Sequence, residues 1–408
     1  MSHNAMETHS IDPFLTQPDR LVLDLLLQDI QNPRKPTSGD LGSGQSGDEG
    51  HTKQLGEGIS RLEGLNDESS SSFRPTVFTS WDQEDFERLP ESVNKLILQP
   101  YIRWARGVVR RETDVVFLTH IILYLTTSVP SAITLYAYFS WPHAICHWIM
   151  QGLYCGPFTL LLHNHIHNNG VLVEGYKWLD RSFPYILEPL MGHTWHSYYY
   201  HHIKCHHVEG NGPDDVSSTI RYQRDELADF LMYWGRFMFF IWIDLPLYFI
   251  RKNKLRLAFE FFSCEMRIGL MAGNWSQHAL VDENDPDSDF RSSITLIDVA
   301  SNRHCFNDGW HTAHHLNALR HWRDQPLSFL KTKSKYEDGK ALVFHNIDYM
   351  MMFVKLMQKD YEHLARCLVP IGDQIGMSNQ ELADILKIKT RKFTRDDIQR
   401  KFVKRKKR

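Results

Sequence analysis

The 408-residue sequence has little of several things that would settle its class at once. Its six cysteines, Cys146, Cys155, Cys205, Cys264, Cys305 and Cys367, include no CxxC pair and no regular spacing, which argues against a disulfide framework and for reduced thiols. Neither Gly-rich phosphate-loop pattern occurs, and no pair of carboxylates suited to acid–base work stands out. The first residues show no charged-then-apolar secretory signal. With 46 basic and 49 acidic side chains the net charge is −3, so nothing points to nucleic acid or another polyanion.

Histidine, in contrast, is abundant: there are 23, and fourteen of them lie between His163 and His315. The stretch "HHIKCHH", residues 201–207, puts four imidazoles into seven positions. Protonated rings at that spacing would repel one another. Such a cluster costs little only when the rings stay neutral, and metal binding is the common way to hold a neutral imidazole in place.

Composition divides the chain into four parts. Residues 1–75 include "GDLGSGQSGDEGHTKQLGEG" and "DESSSSFRP", polar and poor in aromatics, and are expected to form a disordered tail. Residues 76–110 have intermittent helical spacing and read as a soluble helical lead-in. Residues 111–330 hold the long apolar runs and the histidines. Residues 331–408 read as a helical region outside the membrane with a basic end, in which Lys404 and Lys406 have the arrangement of an endoplasmic-reticulum retrieval tail.

Four runs are candidates to cross a bilayer, which takes about 20 apolar residues. Residues 115–139 and 144–162 carry no charge and are joined by "SWPH", as in a helical hairpin. Residues 230–250 are interrupted by Arg236 and Asp244, and residues 255–273 by Arg256, Glu260, Glu265 and Arg267. Each mid-bilayer charge costs roughly 2.5 to 3.5 kcal/mol on insertion scales, so the fourth run is the weakest span. "RWARGVVRR" ahead of the first run places that end on the cytosolic side. "RKNKLR", residues 251–256, would then fall on the opposite side after four crossings, which points to tilted, short or re-entrant third and fourth segments.

The histidines sit at the ends of these runs. "HNHIH" sets His163 and His167 four apart, one turn along a helix and on one face. His202, His206 and His207 make an HxxxHH pattern, and His311, His314 and His315 an HxxHH pattern. "NWSQH" adds Asn274 and His278, again one turn apart. With two crossings between the second and third clusters, all of them emerge on one face. Imidazole ligation without thiolates is open to zinc, copper, iron or nickel, and about nine histidines exceed the needs of one ion, suggesting two ions with four or five ligands each.

In these motifs the sequence resembles the membrane fatty acid desaturase superfamily, which includes related hydroxylases and acetylenases. "HNHIH", "HHIKCHH" and "HTAHH" correspond to its three histidine boxes, and "NWSQH" is similar to the Asn and additional His ahead of the third box in stearoyl-coenzyme A desaturases. The resemblance covers residues 110–330. It implies an all-α polytopic membrane bundle of about four transmembrane helices, with a cytosolic helical cap carrying a di-iron site. By that resemblance the ligands would be His163, His167, His202, His206, His207, His278, His311, His314 and His315, with Asn274 reaching an iron through water, and with His165 able to replace a neighbour. It also implies O2 as co-substrate and an acyl or lipid-like chain from which hydrogens are removed; with the retrieval-type arrangement of Lys404 and Lys406, the expected location is the endoplasmic-reticulum membrane. As no "HPGG" haem-binding stretch occurs, a separate electron donor such as cytochrome b5 with its reductase is implied.

Around these ligands, His165, His193, His196 and His201 read as supporting residues, and Asp214, Asp215, Asn307 and Asp308 as acceptors for the second N–H of ligand imidazoles or as helix caps. Tyr198, Tyr199 and Tyr200 are expected at the membrane interface. A hydroxylase or acetylenase would use the same ligands, while a di-zinc hydrolase or a non-catalytic metal-holding membrane protein would use the histidines differently.

Overall fold

The computed structural model describes residues 11–32, 45–79, 85–86, 88–191, 193, 196–260 and 268–402. It is mostly helical, with two short strands. The retrieval-tail lysines, Cys264 and the middle of the fourth apolar run lie outside the described residues.

The first finding corrects the expectation for residues 1–75. Helices α1 (Gln17–Gln31) and α2 (Gln45–Asn66) occupy most of the described part of that segment. Thr16 caps α1, its hydroxyl accepting from the Asp19 amide at 3.3 Å, and Pro18 sits in the first turn, where its missing N–H is harmless. Val22, Leu23 and Leu26 are buried in one cluster with Trp310, Phe329 and Leu330 from the far end of the chain. In α2 the stripe Leu55, Ile59, Leu62 and Leu65 repeats at helical spacing and packs on the same cluster. Polar composition had masked that stripe.

Helix α3 (Gln99–Arg106) leads to α4 (Val115–Thr126) and α5 (Ser128–Ala137), which form one membrane-length rod with a break at Thr127. The break has a local cause: Pro130 has no N–H for the Thr126 carbonyl four residues back, and the Thr127 amide and hydroxyl both donate to the Leu123 carbonyl, at 3.0 and 2.5 Å. Helix α6 (Trp141–Asn168) returns alongside. The two are joined by a polar seam, in which Ser131 Oγ lies 2.8 Å from His143 Nε2 and 2.9 Å from His147 Nδ1, Thr127 Oγ1 meets Tyr154 OH at 3.1 Å, and Gln151 bonds Ser128. Within a bilayer, where lipid offers no competing partners, bonds of this kind would hold the two helices together. Trp148, Ile149 and Leu153 point outward, and Tyr136, Tyr138, Phe139 and Trp141 cluster exposed at the hairpin tip, the placement of an interfacial aromatic belt.

After α7 (Lys177–Leu190) and α8 (Tyr199–His206) comes α9 (Leu227–Arg251), the third helix long and apolar enough to cross a membrane. Its two interior charges pair with each other, Arg236 Nε donating to Asp244 Oδ2 at 2.8 Å, which reduces the cost of carrying them. Three such helices are found among the described residues, not four. The fourth run is covered by α10 (Leu255–Glu260) and α11 (Ile268–Gln277), on either side of the segment that is not described.

Strand β1 (Ile294–Ile297) pairs in parallel with β2 (Leu342–His345), all eight residues buried. Around this pair stand α12 (His311–Leu316), α13 (Gln325–Lys331), α14 (Lys333–Asp338), α15 (Tyr349–Met357), α16 (Tyr361–Cys367), α17 (Asn379–Lys389) and α18 (Arg395–Phe402). They form a cap at the end of the bundle where α6 presents its last turn.

Candidate metal centre

Four elements bring nine histidines together at that end. The last two turns of α6 supply His163 and His167, α8 and the short turn after it supply His202, His206 and His207, the end of α11 precedes His278, and α12 supplies His311, His314 and His315. The rings segregate into two groups. In the first, one nitrogen from each of His163, His167, His202, His207 and His314 lies within 4.8 Å of all the others. In the second, His206, His278 and His315 meet the same limit, and His311 joins them with its Nε2 3.2 Å from that of His278.

The backbone of α8 explains the sorting. It is wound with i→i+5 hydrogen bonds, wider than an α-helix, and such turns are frequent at functional sites. In a regular α-helix His207 would lie far round the axis from His202. In the wider turn it returns beside it, and the two Nε2 atoms are 3.0 Å apart. His206, one position earlier, is thereby directed to the second group.

Hydrogen bonding alone does not account for this convergence. Within its ring plane an imidazole nitrogen carries either one proton or one lone pair. Yet His314 Nε2 faces two other nitrogens, His163 Nε2 at 3.2 Å and His207 Nε2 at 3.0 Å, while His207 Nε2 also faces His202. The buried Nε2 atoms of His167 and His315 have no hydrogen-bond partner among the described residues. Four nitrogens aimed at a common point and two left unsatisfied are the pattern of lone pairs directed at a cation, so the donor set fits metal ions.

Protonation agrees. Burial, followed by the neighbouring imidazoles, pushes His202, His278, His311 and His314 well below the ordinary histidine range, and His207 is lowered by the same two causes. Neutral rings are the form that binds metal.

The supporting residues divide sharply. Asp215 acts as expected: its Oδ2 accepts from His206 Nδ1 at 2.8 Å, and Oδ1 accepts from the amide and hydroxyl of Ser217, both at 2.9 Å. Burial would raise this carboxyl, but His206, His201 and the Ser217 amide together hold it below the usual range. With Nδ1 donating, His206 has its Nε2 lone pair free to face the site. Asp214 pairs with Lys252 at 2.9 Å. Asn307 donates to the Trp322 carbonyl at 3.0 Å. Asp308 accepts from Gln277 at 3.2 Å and is raised to about 7 by burial. It lines, with His163, His167 and His314, a cavity of about 10 Å³, room for about one water.

His165 turns away from both groups. Its ring stacks on Phe183 and lies 3.3 Å from Asp180, so it does not replace a neighbour. His193 packs its edge against Phe158, and His196 adopts a positive φ of 54° among Tyr185, Tyr199 and Tyr200. His201 sits between Phe237 and His206 and is lowered to about 4, mainly by burial. Asn274 donates its amide to Tyr233 OH at 2.7 Å, which leaves the side-chain oxygen as the atom for any water-mediated contact.

Two participants had no sequence signal. Asp289, distant from every histidine motif, brings its carboxylate within 3.5 Å of His315 Nδ1. Tyr198, expected at a membrane interface, is buried and stacks on His202 with ring centroids 4.9 Å apart. Comparisons with protein-family models, with curated proteins and with solved structures find no match to this chain.

Proposed function

We propose that the protein is a membrane-embedded oxidoreductase that holds two iron ions in its nine imidazoles and desaturates an acyl or other lipid-like chain using O2. The observation that carries this reading is the division of the histidines into groups of five and four, each of which can surround one ion and leave a position open. His163, His167, His202, His207 and His314 would hold one ion and His206, His278, His311 and His315 the other, with Asn274 reaching the second through water. Iron in such a setting supplies O2 activation for attack on an unactivated C–H bond.

The chain's own residues do the rest. Asp215 and Asp289 orient His206 and His315, Tyr198 fixes the plane of His202, and the cap shields the imidazoles from bulk water. An aliphatic substrate reaches this face from the bilayer, and placing one C–H bond correctly governs the rate, since an error of about 1 Å costs roughly a hundredfold. The site faces the cytosol, the membrane is that of the endoplasmic reticulum, and a separate protein such as cytochrome b5 delivers electrons.

The test is direct. Detergent-purified protein should contain two irons per chain and, given a reductant and acyl lipids, should consume O2 and form a product two mass units lighter. A product sixteen units heavier makes it a hydroxylase of the same kind. Full activity in zinc-loaded, iron-free protein without O2 uptake makes it a hydrolase, and iron-loaded protein inert toward lipids removes the enzymatic reading.

A further inference from the structure

Helix α12 is only six residues long, yet it carries His311 and His315 for one imidazole group and His314 for the other. A helix of one and a half turns cannot fix its own orientation, and metal ligands need placement within about 0.5 Å and 10–20°. Something outside it must therefore set its rotation.

Trp310, the residue just before α12, is fully buried, and its carbonyl accepts from the His314 amide at 3.1 Å. Its indole N–H donates at 3.0 Å to Oδ1 of Asp19, a residue 291 positions earlier in the chain. Asp19 is itself fully buried, on the first turn of α1, and its Oδ2 accepts from the Thr16 hydroxyl at 2.8 Å. Burying a carboxylate is costly unless it is hydrogen-bonded, and an apolar residue would suit the surrounding cluster of Leu15, Val22, Phe329 and Leu330 better. A fixed acceptor at this point does something an apolar residue cannot: it pins the polar end of the indole and so the entry into α12.

We infer that Asp19 is a positioning residue for the metal centre, acting through Trp310 to set the rotation of α12, so that the N-terminal helices are part of the metal-binding machinery. This rests on the metal reading given above.

Full-length protein in detergent is loaded with Co2+, whose visible absorption reports ligand geometry, and its affinity is measured against a competing chelator. Amide exchange over residues 310–316 is followed without metal. Asp19→Leu should weaken Co2+ binding about tenfold or more, change the visible band and speed exchange in α12. Asp19→Asn, which keeps the Oδ1 acceptor, should restore all three. Val22→Ala, in the same helix and cluster, should lower stability without altering the band. Wild-type affinity, band and exchange in Asp19→Leu would overturn the inference, as would an equal effect of Val22→Ala or a failure of Asp19→Asn to rescue. If wild-type protein takes up no Co2+, the metal reading falls and the inference with it; uptake that is indifferent to Asp19 removes the inference alone.

Discussion

His206 and Asp215 form a buried pair, Nδ1 to Oδ2 at 2.8 Å, and through it one loop carboxylate determines which nitrogen of the imidazole faces the second histidine group. Replacing Asp215 with Ala leaves His206 free to change tautomer and to swing. Partners of this kind are worth 10- to 100-fold in metal affinity. Asp215→Ala should therefore bind close to one iron per chain instead of two by elemental analysis, with an unchanged elution volume on size exclusion. Two tightly held irons in the variant would contradict the assignment.

Loss of a ligand should be more severe. His206→Ala is expected to abolish iron-dependent oxidation while the protein still resists alkaline extraction from membranes, because none of the spans depends on that ring. His165→Ala, whose ring packs against Phe183 and Asp180, should keep both irons. Residual turnover in the first variant, or iron loss in the second, would redraw the ligand set.

Arg236 and Asp244 offer a test of the third span. Asp244→Ala leaves an arginine without its partner at membrane depth, a penalty of roughly 2.5 to 3.5 kcal/mol near the bilayer centre. Glycosylation mapping should show reduced insertion of α9, and the exchanged pair Arg236→Asp with Asp244→Arg should recover it. Equal insertion of all three forms would mean that the segment does not lie in lipid.

Asp298 supplies a pH dependence. Burial, reinforced by Asp348 and Asp19, raises its carboxyl from 3.8 to about 7 despite the Ser301 donors, and its Oδ2 has no hydrogen-bond partner among the described residues. The unfolded chain releases this proton first, so stability falls as pH rises from about 4 to about 7 and is level above, by up to about 4 kcal/mol. Asp298→Asn keeps the acceptor for the Ser301 amide, 2.8 Å away, and removes that slope. The melting-temperature gain of the variant should grow across this window; a gain independent of pH would refute the protonation argument.

Spacing made the histidine motifs legible, because four- and three-residue intervals survive in any helical setting, and the two uncharged runs announced the hairpin. Other features were hidden for physical reasons. Gly56, Gly58 and Gly64 dilute the apolar stripe of α2 until its composition resembles that of a flexible tail, although the stripe finds partners in α1 and in the distant Phe329 and Leu330. The wide turn that sorts His206 from His202 and His207 depends on tertiary packing and leaves no local mark. Asp289 reaches His315 from the start of a separate short helix, Asp289–Ser292, a contact that only the folded chain defines.

The separation of His163 from His314 by 151 positions also has a temporal side. A ribosome adding 5–20 residues per second takes roughly 8 to 30 s to travel that distance. During that interval α9 is synthesised, while the earlier imidazoles still lack their partners from α12. On the proposed metal reading, neither ion could be enclosed until translation has passed residue 315, which would make metal loading a late event in the life of each molecule.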